Sequence, residues 1–392
     1  MNIIVHSSDF PPCPGGIAIF VEKICDQLVS RGHNVKVLTE RRQSGDKNHD
    51  ALRPYSVYRY CLPARMSSKV IMKKLLYLIS KHKADVVLQG LFSSTHGLGL
   101  VVGSKLLRVP YTILVHGFDI QGSFAGSKID KWGSRLLLNN ATLIIANSQA
   151  TKNKIEHLGY NPNKIIIVNP GVDPQIFNTK IDFSKVSKKY NLNGRKVILT
   201  VSRLVAKKNH VAVLRALIQV VSKVPNVLYL IIGKGEEEVS IKKMAKELNL
   251  TDNVVFVGYV EPENTPPYFA ACDVFVMPSK TVGIDYESFG IVYAEANACG
   301  KPVIGGNSGG VKDAVIDGLT GLLVDPANID ELANIIIRLL TDDEYAHKLG
   351  VNGRKRVEQE LNWNVVGEKV ERILKEVVNG RTKGENQKVS TV

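Results

Sequence analysis

The sequence predicts an α/β protein with two doubly wound parallel-sheet domains. Short apolar runs alternate with helix-like segments along most of the chain, and strands at that spacing pair in parallel through right-handed crossovers. The 392 residues, 44% of them hydrophobic, suffice for two cores of ordinary domain size. A turn cluster at residues 169–173 and a Lys-rich connector at residues 178–194 separate two series of strands.

The first series begins with a strand at residues 3–5, a glycine loop, a helix over residues 17–31 and a strand at residues 34–38. A helix that starts directly after Gly15 and Gly16 can offer free N–H groups to an anion. The alternative is a loop that needs glycine only to turn.

A histidine follows one of the next strands, at the edge where parallel sheets bind ligands. These strands are predicted at residues 85–88, 111–115, 143–146 and 164–168. His116 follows the second of them directly, in a His-Gly-Phe-Asp turn that ends at Asp119. His116 is therefore a candidate site residue, although a histidine after a strand is often structural. Asp119 either orients His116 or touches a ligand.

The second series carries a pair of cations at its first turn. Its strands are predicted at residues 197–201, 228–232, 254–260 and 274–277. Arg203 follows the first strand and Lys208 comes five residues later, so the two can clamp a diphosphate. The alternative is a pair of solvated surface charges, which is the interpretation we favour for Lys207. In residues 233–238, Gly-Lys-Gly-Glu-Glu-Glu, three adjacent acids would repel a pyrophosphate, which disfavours a nicotinamide-dependent dehydrogenase.

Two glutamates mark residues 277–324, the most informative stretch of the chain. Glu287 precedes an apolar run that predicts a buried helix beginning near Ile291, and Glu295 lies inside that run. A carboxylate placed there needs partners, either donors from a neighbouring turn or the hydroxyls of a ligand. The N–H groups at the helix start, after the turn at residues 288–290, suit a phosphate. Together these features indicate a sugar-nucleotide site.

At this point the sequence resembles the retaining glycosyltransferases of family 4, whose two-domain architecture is called GT-B. Their signature, two glutamates separated by seven residues, is matched by Glu287 and Glu295. The sequence around the two glutamates is most similar to the phosphatidylinositol mannosyltransferase branch. It has Gly-Ile-Val-Tyr between the two acids and Ser-Gly-Gly-Val-Lys-Asp-Ala-Val after them. The resemblance covers essentially residues 1–378.

The GT-B resemblance implies two Rossmann-like domains that face a cleft. The acceptor-side domain would span residues 1–178 and be joined by a C-terminal helix at about residues 363–378. The nucleotide-sugar domain would span residues 190–362. Residues 379–392 are polar and are predicted to be disordered.

The resemblance also implies roles for individual residues. His116, Glu287, Arg203 and Lys208 would serve catalysis, with His116 and Asp119 on the acceptor side. Glu287 would hold sugar hydroxyls and Glu295 the ribose. The donor-binding set would comprise Gly15, Gly16, Arg203, Lys208, Val260, Glu287, Ser288, Phe289, Gly290, Ile291, Val292 and Glu295. Asn209 departs from the family's Lys-Gly at this turn.

The expected reaction is metal-independent transfer of a sugar with retention of configuration and without a cofactor. The sequence has no Asp-x-Asp motif, and the two cations and the helix start can stabilise a departing diphosphate instead. GDP-mannose with a lipid or glycan acceptor is the leading hypothesis. A UDP-glucose or UDP-GlcNAc transferase with a soluble acceptor, a GT-B epimerase, and a binding module with a degenerate site are the alternatives.

The net charge of +14 lies almost entirely in the first half of the chain. Residues 1–180 contain 23 Lys and Arg against 11 Asp and Glu, and no nucleic-acid-binding motif accompanies them. Residues 65–83 form a basic amphipathic pattern suited to an anionic membrane surface, or else an ordinary helix with a solvated basic face.

The sequence predicts a cytoplasmic protein. It has five cysteines with no close pair and no metal-binding spacing, and neither an export signal nor a membrane-spanning segment. If residues 65–83 bind lipid, the protein is peripheral at the inner membrane face.

Overall fold

The computed structural model describes residues 1–13, 15–41, 45–61 and 67–389 and divides into two units. The first unit comprises Met1–Pro170 together with the chain from Trp363 onward, and the second comprises Gly171–Asn362. Each unit contains its own parallel sheet covered by helices on both faces. The predicted fold class is therefore confirmed.

The sheet of the first unit has seven parallel strands in the order β3-β2-β1-β4-β5-β6-β7. The strands are β1 Asn2–Ser7, β2 Asn34–Glu40, β3 Ser56–Tyr60, β4 Val86–Gln89, β5 Tyr111–Val115, β6 Leu143–Ala146 and β7 Ile165–Ile167. The connecting helices are α1 Gly16–Ser30, α2 Asp46–Ala51, α3 Ser67–Lys81, α4 Ser94–Leu107, α5 Phe118–Ala125, α6 Lys128–Asn140 and α7 Gln149–His157. Nearly continuous apolar strands bury both faces of this sheet, as parallel pairing requires.

The sheet of the second unit has six parallel strands in the order β10-β9-β8-β11-β12-β13. The strands are β8 Lys196–Val201, β9 Val227–Ile232, β10 Val254–Gly258, β11 Val274–Met277, β12 Val303–Gly306 and β13 Leu322–Val324. The helices are α8 Ser184–Tyr190, α9 His210–Lys223, α10 Glu238–Glu247, α11 Pro266–Ala271, α12 Ile291–Ala298, α13 Val311–Ala314, α14 Ile329–Thr341 and α15 Asp343–Gln359.

The boundary between the units falls after Pro170, not after residue 178 as predicted. Val172 packs in the core of the second unit and its N–H bonds the Leu361 carbonyl oxygen. The Arg354 guanidinium donates to the carbonyl oxygens of Pro174, at 3.2 Å, and Phe177, at 2.7 Å. Tertiary contacts that the turn cluster does not reveal thus attach residues 171–178 to the second unit.

The last helix, α16 Trp363–Val389, belongs to the first unit and packs against α1. Its apolar face contributes Val366, Val370 and Leu374 to the core of that unit. The helix continues beyond the predicted end near residue 378, whereas disorder of residues 379–392 stays a prediction.

Both sheets reverse their winding direction beside the first strand of the unit. In the second unit this switch point lies between β8 and β11, and in the first it lies between β1 and β4. In open α/β sheets, ligands bind beyond the carboxyl ends of the strands at such a point. The segments that leave β8 and β11 carry Arg203, Lys208 and Glu287.

Candidate functional site

Arg203 leaves the carboxyl end of β8 with its side chain exposed. Among the residues that the structure describes, its guanidinium has neither an ion pair nor a hydrogen bond. An arginine that is not held by protein carboxylates keeps its planar fork available for a bidentate phosphate contact. The position thus fits the predicted diphosphate contact.

Lys208 lies in a short 3₁₀ turn, Ala206–Lys208, that precedes α9. Its ammonium group donates a hydrogen bond to the Glu287 carboxylate, and both side chains are largely buried, with 12% and 13% exposed. The structure therefore brings two of the predicted site residues into direct contact, although they are 79 positions apart. Since the ion pair neutralises part of each charge, Arg203 is the uncompensated cation of this turn.

Lys207 is not the solvated charge that the sequence suggests. Its side chain is only 11% exposed, and its Nζ atom lies 2.9 Å from a carboxylate oxygen of Asp285. The Lys280 N–H also donates to the Lys207 carbonyl oxygen. These contacts fasten the segment after β11 to the turn after β8, and so they position Glu287 two residues beyond Asp285.

Asn209 occupies the position where the family has glycine, and its backbone conformation explains why the substitution is tolerated. Its backbone is left-handed, with a φ of 60°, a conformation in which asparagine is several-fold enriched among non-glycine residues. Its side-chain amide donates to the carbonyl oxygens of Pro278, at 3.1 Å, and Pro326, at 2.9 Å. Asparagine therefore makes the turn that glycine would make and also ties it to two neighbouring loops.

Helix α12 begins at Ile291, as the sequence predicts, and its start is uncapped by any side chain. Gly290 enters the helix with a φ of 84°, and a Cβ atom there would lie 2.6 Å from the Tyr293 ring. Only glycine fits this left-handed, crowded position. The N–H groups of Ile291 and Val292 precede the first intrahelical bonds, so they remain available to an anion.

The turn before α12 is held by the glycine-rich segment after β12. The Gly310 N–H donates to the Glu287 carbonyl oxygen at 2.8 Å, and a Cβ atom on Gly309 would lie 2.6 Å from the same oxygen. Phe289 is buried in the core of the unit, whereas Ser288 is half-buried. The backbone of residues 287–290 is thus fixed from two sides.

Glu295 lies one turn into α12 and is half-buried. Burial raises the pKa of its carboxyl group from 4.5 to about 7. Within the described chain, no protein group donates a hydrogen bond to this carboxylate. The group is therefore available for the hydroxyls of a ligand.

Val260 follows β10 and is half-buried against the core of the second unit. The Gly258 carbonyl oxygen before it accepts a bond from the Gly233 N–H at 2.8 Å. A Cβ atom on Gly233 would overlap the Ser202 carbonyl oxygen, so this glycine permits close packing of two turns. The observed role of Gly233 is packing, which agrees with the inference that residues 233–235 do not form a pyrophosphate-binding loop.

His116 and Asp119 are both buried in the first unit, where the two residues have different roles. The His116 Nε2 atom lies 3.0 Å from the Gly90 carbonyl oxygen. Because a carbonyl oxygen only accepts hydrogen bonds, this contact places a proton on Nε2 and leaves Nδ1 as the acceptor of the neutral ring. The ring also packs edge-on against Phe20.

The Asp119 carboxylate accepts hydrogen bonds from the backbone N–H groups of His116, Ile120 and Phe92, at distances from 2.8 to 3.2 Å. Burial nevertheless raises the pKa of this carboxyl group, because desolvation outweighs these bonds. Asp119 therefore orients the His116 backbone, which is one of the two roles that the sequence offers.

Gly15 and Gly16 are exposed at the start of α1, and a Cβ atom at either position would meet nothing within 4 Å. Gly15 has a φ of 145°, which favours glycine. The helix has no side-chain cap and no acid in its first turn. Its N–H groups are thus exposed, as an anion site requires.

Arg59 is a residue that the sequence analysis missed. Its side chain is 5% exposed, lies 3.3 Å from Asp46 and forms two 2.8 Å bonds with Asp50. It also donates to the Pro11 carbonyl oxygen at 2.6 Å, in the loop that leads to Gly15. Arg59 thus fixes the glycine loop from β3, and no local sequence signal marks it, since its partners lie on other elements.

The predicted amphipathic segment coincides with α3, but residues 65 and 66 lie outside the described residues. The apolar face of α3, including Ile71, Leu75 and Leu78, is buried in the core of the first unit. Its described lysines are exposed, which agrees with both alternatives that the sequence offers. No helix in the described chain is long and apolar enough to cross a bilayer.

Two family models match consecutive parts of the chain. Residues 14–176 match the model described as Glycosyltransferase Family 4, and residues 182–356 match that of Glycosyl transferases group 1. The fold and these matches define a glycosyltransferase with two Rossmann-like domains. The chain therefore contains a family 4 domain followed by a group 1 domain of glycosyltransferases, and the predicted enzyme class, a hexosyltransferase, is confirmed.

Relatives of different specificity match nearly the whole chain. A GDP-mannose-dependent alpha-(1-6)-phosphatidylinositol monomannoside mannosyltransferase of Mycolicibacterium smegmatis is 29% identical over 97% of this chain and 98% of its own length. An N-acetyl-alpha-D-glucosaminyl L-malate synthase of Bacillus anthracis is 25% identical over 95% and 97%. The crystal structure of Anabaena HepE in complex with UDP has a TM-score of 0.82 at 22% identity and covers 96% of this chain and 100% of its own.

Proposed function

We propose that this protein transfers a mannosyl group from GDP-mannose to a lipid or glycan acceptor at the cytosolic face of a membrane, with retention of configuration. The observation that carries the nucleotide-sugar part is the half-buried Glu295 carboxylate, which has no donor in the described protein and lies one turn beyond the free N–H groups of Ile291 and Val292. The choice of donor and acceptor is supported by the mycobacterial relative and by the wording around the two glutamates.

In the proposed reaction, the bond between the sugar C1 atom and the diphosphate oxygen breaks while C1 forms a bond to the acceptor oxygen on the same face. Arg203 and the α12 N–H groups stabilise the charge that develops on the diphosphate. Glu287 holds sugar hydroxyls and Glu295 the ribose. The acceptor proton passes to the leaving phosphate oxygen, and His116 serves the acceptor side.

We also propose that this transfer needs no divalent metal or other cofactor. Arg203, with no ion pair in the described chain, and the uncapped start of α12 supply the positive potential that a metal would otherwise provide. Lys208 adds to that potential once the donor draws it away from Glu287.

A second candidate is a UDP-sugar transferase with a soluble acceptor. It is favoured by the similarity to the glucosaminyl L-malate synthase and by the fold likeness to a protein crystallised with UDP. In the second unit, the backbone around Val260 contains no feature that separates guanine from uracil.

Thermal stabilisation by donors, measured in EDTA, tests the proposal. GDP-mannose, UDP-glucose and UDP-GlcNAc are compared, and a ligand at about 100 times its Kd adds about 2.7 kcal/mol. We expect a shift in the melting temperature with GDP-mannose alone, lost in Arg203→Ala and Glu295→Ala. If only a uridine sugar raised the melting temperature, the donor would be a UDP-sugar and not GDP-mannose. If no donor raised it, the proposed nucleotide-sugar site would be rejected.

A further inference from the structure

Three helices of the first unit pack side by side and present one strongly cationic outer layer. Helix α3 packs against α4 and α4 packs against α6. The contact between α3 and α4 is close, since a Cβ atom on Gly99 would lie 3.0 Å from the Met72 Cα atom. Their sequences contain eight Lys and Arg residues and one acid, Asp130.

The only acid of these three helices is engaged at a helix start. Asp130 accepts a bond from the Ser127 N–H at 3.0 Å, and the Ser127 hydroxyl oxygen accepts from the Asp130 N–H, which forms a capping box. Its carboxylate therefore faces the start of α6. The described lysines of α3, and Lys105 of α4, are exposed.

Helix α6 adds large apolar side chains to this cationic layer. Ile129 is 79% exposed and Trp132, one turn later, is 58% exposed. Lys128, Lys131 and Arg135 are exposed around them. Residues three positions apart share a helix face, so the isoleucine and the tryptophan form one apolar patch with a cationic border.

Exposed apolar residues are common singly, and on the helices of the second unit Ile218, Val239 and Val351 are exposed singly and not as a pair on one face. Val239, for example, is 78% exposed on α10, where Glu238 and Glu247 accompany the lysines. Tryptophan is favoured at the boundary between lipid headgroups and acyl chains, and clustered lysines and arginines are attracted to anionic headgroups.

We propose that the outer layer of α3, α4 and α6 docks on an anionic lipid bilayer, with Ile129 and Trp132 entering the headgroup region. The inference rests on the proposed lipid-facing function but names a surface of its own. The apolar face of α3 is buried in the core, so α3 and α4 contribute charge while α6 contributes the inserted side chains.

The test uses the full-length protein with phosphatidylcholine vesicles, with and without phosphatidylglycerol. The chain has two tryptophans, so Trp363→Phe leaves Trp132 as the single reporter. We expect co-sedimentation with the anionic vesicles alone, a blue shift of Trp132 emission, and quenching by lipids with brominated acyl chains. Sedimentation of the wild type provides a readout that does not depend on this substitution.

Matched variants separate this surface from charge in general. Lys128→Gln/Lys131→Gln/Arg135→Gln and, separately, Trp132→Ser should each weaken vesicle binding by roughly tenfold or more. Lys185→Gln/Lys188→Gln/Lys189→Gln removes the same number of exposed charges from α8 of the second unit and should bind like the wild type. Both α6 variants should keep donor-induced thermal stabilisation.

Vesicle binding without any change in Trp132 emission would overturn the proposal, as would absence of binding to anionic vesicles. Concentration-dependent self-association that buries Trp132 without lipid would assign the surface to a second copy of the chain instead. If the protein bound anionic vesicles but no nucleotide sugar stabilised it, the proposed function would be rejected and the docking surface retained. If a nucleotide sugar stabilised the protein but vesicles did not bind, the docking surface would be rejected and the proposed function retained.

Discussion

Arg59 and Asp119 of the first unit differ from Arg203 and Glu295 of the second unit in whether the protein satisfies their charges. In the first unit, Arg59 bonds two carboxylates and a carbonyl oxygen, and Asp119 accepts three backbone N–H groups. In the second, Arg203 has no ion pair and Glu295 has no hydrogen-bond donor in the described chain. Charges that the protein satisfies internally shape its backbone, whereas charges that it leaves unsatisfied are available for a ligand. Substitutions of the first kind should lower stability, and those of the second should lower ligand affinity.

Arg59→Ala should have the largest effect on stability. The substitution leaves Asp46 and Asp50 without their shared cation, and breaking a buried ion pair costs about 3–5 kcal/mol. Urea-induced unfolding, followed by circular dichroism, should therefore show a clearly lower midpoint. Arg203→Ala, which alters an exposed side chain with no partner in the described chain, is the control and should stay within about 0.5 kcal/mol. Equal urea midpoints for the two variants would show that Arg59 contributes no more to stability than Arg203 does.

Arg203→Ala should weaken binding of GDP or UDP by roughly 10- to 100-fold, because a charge-assisted bidentate contact to a diphosphate contributes about 1.5–3 kcal/mol. Calorimetric titration of the wild type and the variant gives the ratio of the two Kd values. Arg215→Ala, another exposed arginine of the second unit, serves as the control. Unchanged nucleotide affinity would show that the exposed fork does not bind the diphosphate.

Glu295→Gln should stabilise the protein while it weakens donor binding. The folded-state pKa of about 7 lies above the reference value of 4.5, so the folded state favours the protonated carboxyl group. Ionisation therefore lowers stability progressively as the pH rises from about 4.5 to about 7. The neutral amide avoids this loss, so the variant should gain on the order of 1–3 kcal/mol over the wild type above pH 7, and nothing near pH 4.

Urea midpoints at pH 4 and pH 8, for the wild type and Glu295→Gln, measure this difference. A variant that is less stable at pH 8 would mean that a protein partner satisfies the carboxylate. Thermal stabilisation by a nucleotide sugar should be smaller in the variant at both pH values, because an amide replaces one acceptor oxygen with a donor.

Asn209→Gly should have the smallest effect. Glycine adopts the left-handed backbone freely but loses the two bonds to Pro278 and Pro326, so the changes partly offset each other and stability should fall by about 1 kcal/mol or less. Asn209→Ala loses the same bonds and adds strain at positive φ, so it should be less stable than the glycine variant. Thermal denaturation of both variants measures the order, and the reverse order would contradict the assigned backbone role.

Local patterns predicted much of the fold and of the second unit's site. The start of α12 at Ile291 followed from an apolar run after Gly290, and the parallel pairing of the strands followed from the alternation of strands and helices. These features depend on residues close in sequence. The Lys207 prediction was wrong because its partner, Asp285, lies 78 positions away.

Tertiary contacts also decided the features of the first unit that the sequence left open or hidden. The role of Asp119 depends on the N–H of Phe92, and that of Arg59 depends on Pro11, 48 positions earlier. The local His-Gly-Phe-Asp turn marks Asp119 as a candidate without showing its contact with Phe92, and no neighbour in the chain marks Arg59. The unit boundary was misplaced for the same reason, since Arg354 holds residues 174–177 from far along the sequence.

The return of α16 to the first unit constrains how the protein is made. The second unit is continuous in sequence, Gly171–Asn362, whereas the first lacks Val366, Val370 and Leu374 until α16 has been synthesised. Because domains fold as units when their sequence emerges from the ribosome, the second unit can complete its core while the apolar face of α1 still awaits its cover. The first unit is thus the last to mature, and a ribosome that stops before α16 releases a chain with its second unit formed and its first sheet incompletely covered.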